Sequence, residues 1–228
     1  MLIFGSISYL NLLPFQIFLK KRISNSQFKQ IINYKKSVPS KINKEFKNKK
    51  IDAAFISSVK SKNCKCTDIG ILANGAVYSV LVLNDKASFD SESDTSNALA
   101  KVLNIKGKVT IGDKALKYYL ENRDSKDFYD LALEWQKRKN LPFVFARLCY
   151  NKNGKRIKKL AKEFSLKKFK IPQYYLKKAA KSKGITPQEL TWYLNFIYYK
   201  LSHKEKKALK LFLKLAKDKK NNINPNSR

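Results

Sequence analysis

The stretch Gly5-Ser6-Ile7-Ser8-Tyr9-Leu10-Asn11-Leu12-Leu13-Pro14-Phe15 compresses the end of a strand, a polar loop and the start of a helix into eleven residues. Residues 2–7 form a short apolar run that reads as a buried strand. Ser8, Tyr9 and Asn11 supply two hydroxyls and an amide where that strand stops. Pro14 suits the first turn of a helix, where its missing N–H costs nothing. Such a junction aims unpaired backbone N–H groups and neutral side-chain donors at one spot, the physical recipe for holding a carboxylate or phosphate. The plain alternative is a loop without a ligand.

Outward from this stretch, apolar or β-branched runs bounded by polar residues predict strands at 30–34, 53–56, 77–84, 108–112 and 144–150. Helices are expected at 14–23, 38–47, 58–62, 95–102 and 114–121. This alternation predicts α/β architecture with mostly parallel strands. From about residue 153 the pattern is helical alone. Thr186-Pro187-Gln188-Glu189 is a capping box with proline at the first helical position, and Leu190, Tyr193, Leu194, Ile197, Tyr198 and Leu201 then recur on one face. Ser202-His203-Lys204-Glu205 is a second capping box, and residues 221–228 predict a frayed polar end.

Composition bounds the classes. With 228 residues and 43% hydrophobic content, the chain can bury a real core as one domain or two small lobes. Lys plus Arg number 49 against 17 Asp plus Glu, a formal net charge of +32. Nearly all of this positive charge is Lys, spread over every segment, which reads as solvated helix faces rather than a nucleic-acid surface built on Arg and interleaved aromatics. Residues 177–201 also imitate a helix-turn-helix, but the second helix is poor in the side chains that read base edges. No specific nucleic-acid partner is expected. Cys64, Cys66 and Cys149 are odd in number and the Cys-x-Cys pair is too close to bridge, so folding without disulfides in a reduced cytoplasmic setting is expected. One His and three Cys argue against a metal site. No membrane span, export leader or nucleotide signature is read, and no cofactor is expected.

The opening stretch closely resembles the Gly-x-x-Ser-Tyr-Leu-Asn-x-x-Pro-Phe of the chorismate dehydratase family, which acts first in the futalosine route to menaquinone. Further matches follow in the same order: Asp52-Ala53-Ala54-Phe55-Ile56-Ser57-Ser58, Gly75-Ala76-Val77-Tyr78-Ser79-Val80-Leu81, Thr95-Ser96-Asn97-Ala98-Leu99, Ile111-Gly112-Asp113-Lys114-Ala115-Leu116, and Glu134-Trp135 before Leu141-Pro142-Phe143-Val144-Phe145-Ala146. The resemblance spans about 145 residues, with the C-terminal third matching only as a Lys-rich helical tail. It implies a two-lobed fold like the type II periplasmic binding proteins, with a trimmed second lobe and a helical C-terminal region. Residues 1–84 and 148–228 would form a discontinuous first lobe and residues 85–147 the second, with crossing strands at 80–84 and 144–147 and an active-site cleft between the lobes.

Three places combine a strand end, small polar side chains and a helix start: Ser8 to Asn11, Ser57-Ser58 and Thr95-Ser96. Ligands of open α/β sheets collect at such places. Taken singly, Ser57 and Thr95 fit helix N-caps, Tyr9 a core position and Ser79 a strand. The resemblance implies instead that Ser8, Tyr9, Ser57, Ser58, Ser79, Thr95 and Ser96 bind chorismate and that Asn11 is the catalytic side chain. The implied product is 3-[(1-carboxyvinyl)oxy]benzoate. An amide is a feeble base, so Asn11 is expected to position substrate and stabilise charge while the enolpyruvyl carboxylate of the substrate accepts the proton. Asp113 is expected to cap the following helix. The alternative function is a noncatalytic carboxylate binder or sensor. The related dihydroxynaphthoate synthases use a catalytic His, and His203 lies far from every motif.

Overall fold

The computed structural model describes residues 2–24, 32–166 and 170–221. Strand β1 (Leu2–Ser6) leads through a 3-10 turn at Leu10–Leu12 into helix α1 (Leu13–Ser24). β2 (Ile32–Lys36), α2 (Pro39–Lys47) and β3 (Ala53–Ser57) follow. β1 lies between β2 and β3, parallel to both. Gly5 lets α2 close onto this layer, because a Cβ there would stand 2.9 Å from Ala54 Cβ and 3.1 Å from Ile42 Cγ2. β4 (Cys66–Ala73) is the last strand before the chain changes sheets.

The second sheet is built from β5 (Val80–Leu83), β6 (Lys108–Ile111) and β7 (Phe128–Asp130), in the order β6-β5-β7 and antiparallel throughout. Its helices are α3 (Asp94–Leu103), α4 (Gly112–Glu121) and α5 (Leu131–Lys139). The chain returns through β8 (Phe143–Tyr150) and adds α6 (Gly154–Leu166), α7 (Gln173–Lys181), α8 (Pro187–Leu194), β9 (Tyr198–Lys200) and α9 (His203–Asn221). The first sheet then reads β2-β1-β3-β8-β4-β9.

Phe15 ties these layers together. It lies 5.9 Å from Phe4, 5.0 Å from Phe55 and 5.1 Å from Phe164, joining α1 to the first sheet and to α6. Burying such a ring contributes about 1.5–3 kcal/mol. Leu10 and Leu12 are buried on either side of Asn11, so the 3-10 turn is anchored by its apolar residues while its amide is left at the surface of the core.

Several expectations are corrected. Among the named strands of the described residues, only the pairings of β1 are parallel; β8 runs antiparallel to β3 and β4, and β9 antiparallel to β4. Residues 58–62 form a tight turn, closed by the Ser61 N–H on Ser57 O at 2.9 Å, rather than a helix. α8 ends at Leu194, and Tyr198, expected on its apolar face, pairs in β9 with Leu72. Residues 30 and 31 of the expected second strand lie outside the described residues, as do 222–228 of the expected frayed end. Cys66 and Cys149, opposite each other on β4 and β8, are joined by a disulfide, and Cys64 stays free. The expectation of three reduced thiols weighed the Cys-x-Cys spacing and missed this cross-strand pair.

The sheet changes also fall elsewhere than expected. Val80–Leu83 belongs wholly to the three-stranded sheet and Phe143–Tyr150 wholly to the six-stranded one. The crossings are therefore the short links 74–79 and 140–142, not 80–84 and 144–147. Positive φ angles at Gly75 and Tyr78 bend the first link, and Asp130 fixes it by accepting the N–H groups of Val77 at 2.9 Å and Tyr78 at 2.6 Å. The same carboxylate caps α5 through Ala132 and Leu133. No helix among the described residues is long and apolar enough to cross a membrane.

Candidate active site

Both sheets end on one cavity. Its lining includes Tyr9 and Asn11 after β1, Ser57 at the end of β3, Ser79 before β5, and Thr95 and Ser96 in the first turn of α3. Ile7, Phe55, Ile71, Val80, Ile111 and Phe145 give it apolar walls suited to a flat ring. Pro39, at the start of α2, and Gly112, at the start of α4, also line it, so several helix N-termini converge with their partial positive charge. Wider grooves exist elsewhere, one of them between Pro14, Phe164 and Lys200, but that one gathers none of these strand-end hydroxyls.

Two expected site residues lie elsewhere. Ser8 is exposed and outside the lining. Ser58 is fully buried and donates its hydroxyl to Val144 O at 2.5 Å, holding β3 to β8. Successive residues of an extended chain face opposite ways, so Ser57 and Ser58 part company. Neither Ser57 nor Thr95 is an N-cap: residues 58–62 form no helix, and α3 is capped by Ser93, whose hydroxyl accepts the Ser96 N–H at 3.1 Å. Asp113 does not cap α4. It accepts the Leu10 N–H at 3.0 Å and pairs with Lys183 at 2.8 Å, pinning the 3-10 turn from the second sheet.

The hydroxyls are poised as donors. Ser57 Oγ accepts from Asn43 Nδ2 at 3.0 Å, while Asn43 Oδ1 takes the Ser57 N–H at 3.1 Å. Thr95 Oγ1 accepts the Val59 N–H at 3.3 Å, Ser79 Oγ accepts the Tyr193 hydroxyl at 2.9 Å, and Ser96 Oγ accepts from Ser93 at 2.8 Å. A hydroxyl that already accepts still has its proton to give. Asn11 is held through its backbone, whose carbonyl accepts the Tyr199 hydroxyl at 2.7 Å, whereas its Oδ1 is buried with no partner among the described residues. A buried unpaired amide oxygen is costly and points to a ligand.

Sequence reasoning missed Glu92, which lines the cavity and accepts the Tyr9 hydroxyl. Burial above all, then this hydrogen bond and the charge of Glu92, push the Tyr9 phenol far up, so it stays protonated. Asn43, Tyr193 and Tyr199 were missed as well; each acts from a distant segment, and only the amide of Asn43 among the lysines of α2 carried any local signal. Among the described residues, no Lys or Arg lines the cavity.

A two-sheet α/β chain whose strand ends and helix starts meet on one cavity has the architecture of the periplasmic-binding-protein-like folds. Solved structures agree. A protein from Archaeoglobus fulgidus superposes with a TM-score of 0.66 at 12% identity, covering 96% of this chain and 97% of that one. The periplasmic aliphatic sulphonate binding protein of Escherichia coli superposes with a TM-score of 0.57 at 13% identity, covering 97% and 92%. At such identities the likeness shows the fold alone. The sequence pattern of the menaquinone biosynthesis family matches residues 2–108 and 104–218. The chorismate dehydratase of Campylobacter jejuni subsp. jejuni serotype O:23/36 (strain 81-176) is 47% identical over 220 residues, 95% of this chain and 98% of that protein. The chain belongs to the menaquinone biosynthesis family.

Proposed function

We propose that this protein is a chorismate dehydratase, a hydro-lyase that removes water from chorismate to leave 3-[(1-carboxyvinyl)oxy]benzoate. The observation that carries this reading is the cavity itself: neutral donors from both sheets, around apolar walls, in a chain 47% identical to a protein of that name. Two lobes are proposed, one on each sheet, with the cleft between them.

Ser57, Thr95 and Ser96 bind the two carboxylates, and Ser79 and Tyr9 orient the ring and its hydroxyl. The C3 proton of chorismate is conjugated through the ring diene to the ring carboxylate. Its removal gives an extended enolate, which donors around that carboxylate stabilise. The C4 hydroxyl then leaves, the two losses sum to one water, and aromatisation drives the reaction. Asn11 holds the substrate and stabilises developing charge. The proton goes to the enolpyruvyl carboxylate of the substrate, a stronger base than any amide.

Incubation with chorismate, followed by ultraviolet absorbance, tests the reading. The expected result is growth of an aromatic spectrum. Binding of chorismate with an unchanged spectrum would mark a noncatalytic carboxylate binder.

A further inference from the structure

Among the described residues, Glu92 is the only formally charged side chain lining the cavity, and its charge is negative. That is a cost in a site for a dianion. Its backbone explains its placement without explaining its identity: the Glu92 N–H bonds Asp90 Oδ1 at 2.9 Å, and Asp90 is fixed by Lys114 at 2.7 Å and by Asn97, which accepts its N–H at 3.0 Å. The loop therefore keeps its shape whatever side chain stands at this position.

The side chain itself accepts a hydrogen bond from the Tyr9 hydroxyl. The Tyr9 ring is set against Gly112, where a Cβ would stand 2.8 Å from ring carbon Cζ. With its O–H directed at Glu92 in that hydrogen bond, the Tyr9 oxygen offers the cavity only lone pairs. A carboxylate oxygen, which also has only lone pairs, is repelled there, while a neutral hydroxyl can donate. Chorismate has one such hydroxyl, at C4, and the aromatic product has none.

We infer that Glu92, acting through Tyr9, is a positioning residue that admits the C4 hydroxyl of the substrate and excludes carboxylates, so that it orients chorismate and weakens the hold on the hydroxyl-free product. The inference rests on the proposed dehydratase reading. It makes Glu92 the counterpart of the Ser57, Thr95 and Ser96 donors, which attract the groups that this corner turns away.

The test compares the KM for chorismate with the inhibition constant of added product in the wild type, Glu92→Gln and Tyr9→Phe. Removing one like charge at close range is expected to tighten product binding by about five- to tenfold in Glu92→Gln, while kcat falls and KM does not improve in step. Tyr9→Phe keeps the charge and is expected to raise KM without tightening product. Equal changes of KM and inhibition constant in Glu92→Gln, or no tightening of product, would overturn the inference. A wild type that binds but never converts chorismate would overturn the dehydratase reading, and this inference with it.

Discussion

At the residue scale, Ser57 and Ser58 show how much a single position decides. Both belong to the same small polar pair in the sequence, yet one hydroxyl reaches the cavity and the other ties β3 to β8. Ser58→Ala is expected to cost about 1–3 kcal/mol in denaturant unfolding, by leaving a buried carbonyl unpaired, with KM unchanged. Ser57→Ala combined with Thr95→Val is expected to raise KM at least tenfold with the fold intact; an unchanged KM would remove these donors from the anion cradle. Asn11→Asp places a charge beside an anion and is expected to lower kcat about 100- to 1000-fold, as loss of a charge-stabilising donor does. An active Asp variant contradicts the charge argument. The helix start expected after Ser57 does not form, and the hydroxyls of Ser57 and Thr95 were read as ligand donors only through the family resemblance. Glu92 was not legible, since its meaning comes from Tyr9, 83 residues away.

At the element scale, most strands with apolar runs were legible, β4 being missed, and their directions were not, because periodicity reports which face is buried and says nothing of polarity. β4 begins Cys66-Thr67-Asp68 and looks like a loop there; Asp68 is exposed and pairs with Lys206 on α9. β7 and β9 have three residues each, too few to display an alternation. Capping chemistry read well at α8 and failed at Asp113. The box at α8 forms as expected, with the Glu189 N–H on Thr186 Oγ1 at 3.1 Å and the Thr186 N–H on Glu189 Oε2 at 2.8 Å. Thr186→Ala is expected to cost about 1 kcal/mol. The Thr186 N–H above all, with its hydroxyl and Arg123, holds the Glu189 carboxylate below its ordinary value. A carboxylate so depressed stabilises the fold above its unfolded pKa and loses that contribution as pH falls through the folded one. The stability gap between wild type and Glu189→Gln should therefore be present at neutral pH and shrink as pH drops below about 4.5. Gly112, at φ +67 where α4 begins, is required both by its backbone and by the Tyr9 ring. Gly112→Ala should cost more than about 1 kcal/mol and lower turnover together.

At the scale of the whole molecule, a net charge of +32 surrounds a cavity that no cation lines among the described residues. The field draws anions inward, and on the proposed reading neutral dipoles hold them. Added salt should therefore raise KM for chorismate while leaving kcat unchanged, because screening weakens attraction over distances beyond about 8–10 Å and leaves short hydrogen bonds intact. The two-sheet plan was legible from ordered motifs, whereas the crossings were not, because the bends at Gly75 and Tyr78 depend on Asp130 reaching back from β7. The measurement that reaches the central claim most directly is a crystal structure with 3-[(1-carboxyvinyl)oxy]benzoate bound. The account predicts both carboxylates within about 3.2 Å of hydroxyls among Ser57, Thr95 and Ser96, with the ring between the apolar walls and Asn11 beside it. Product held by surface lysines, with the cavity empty at saturation, would contradict it.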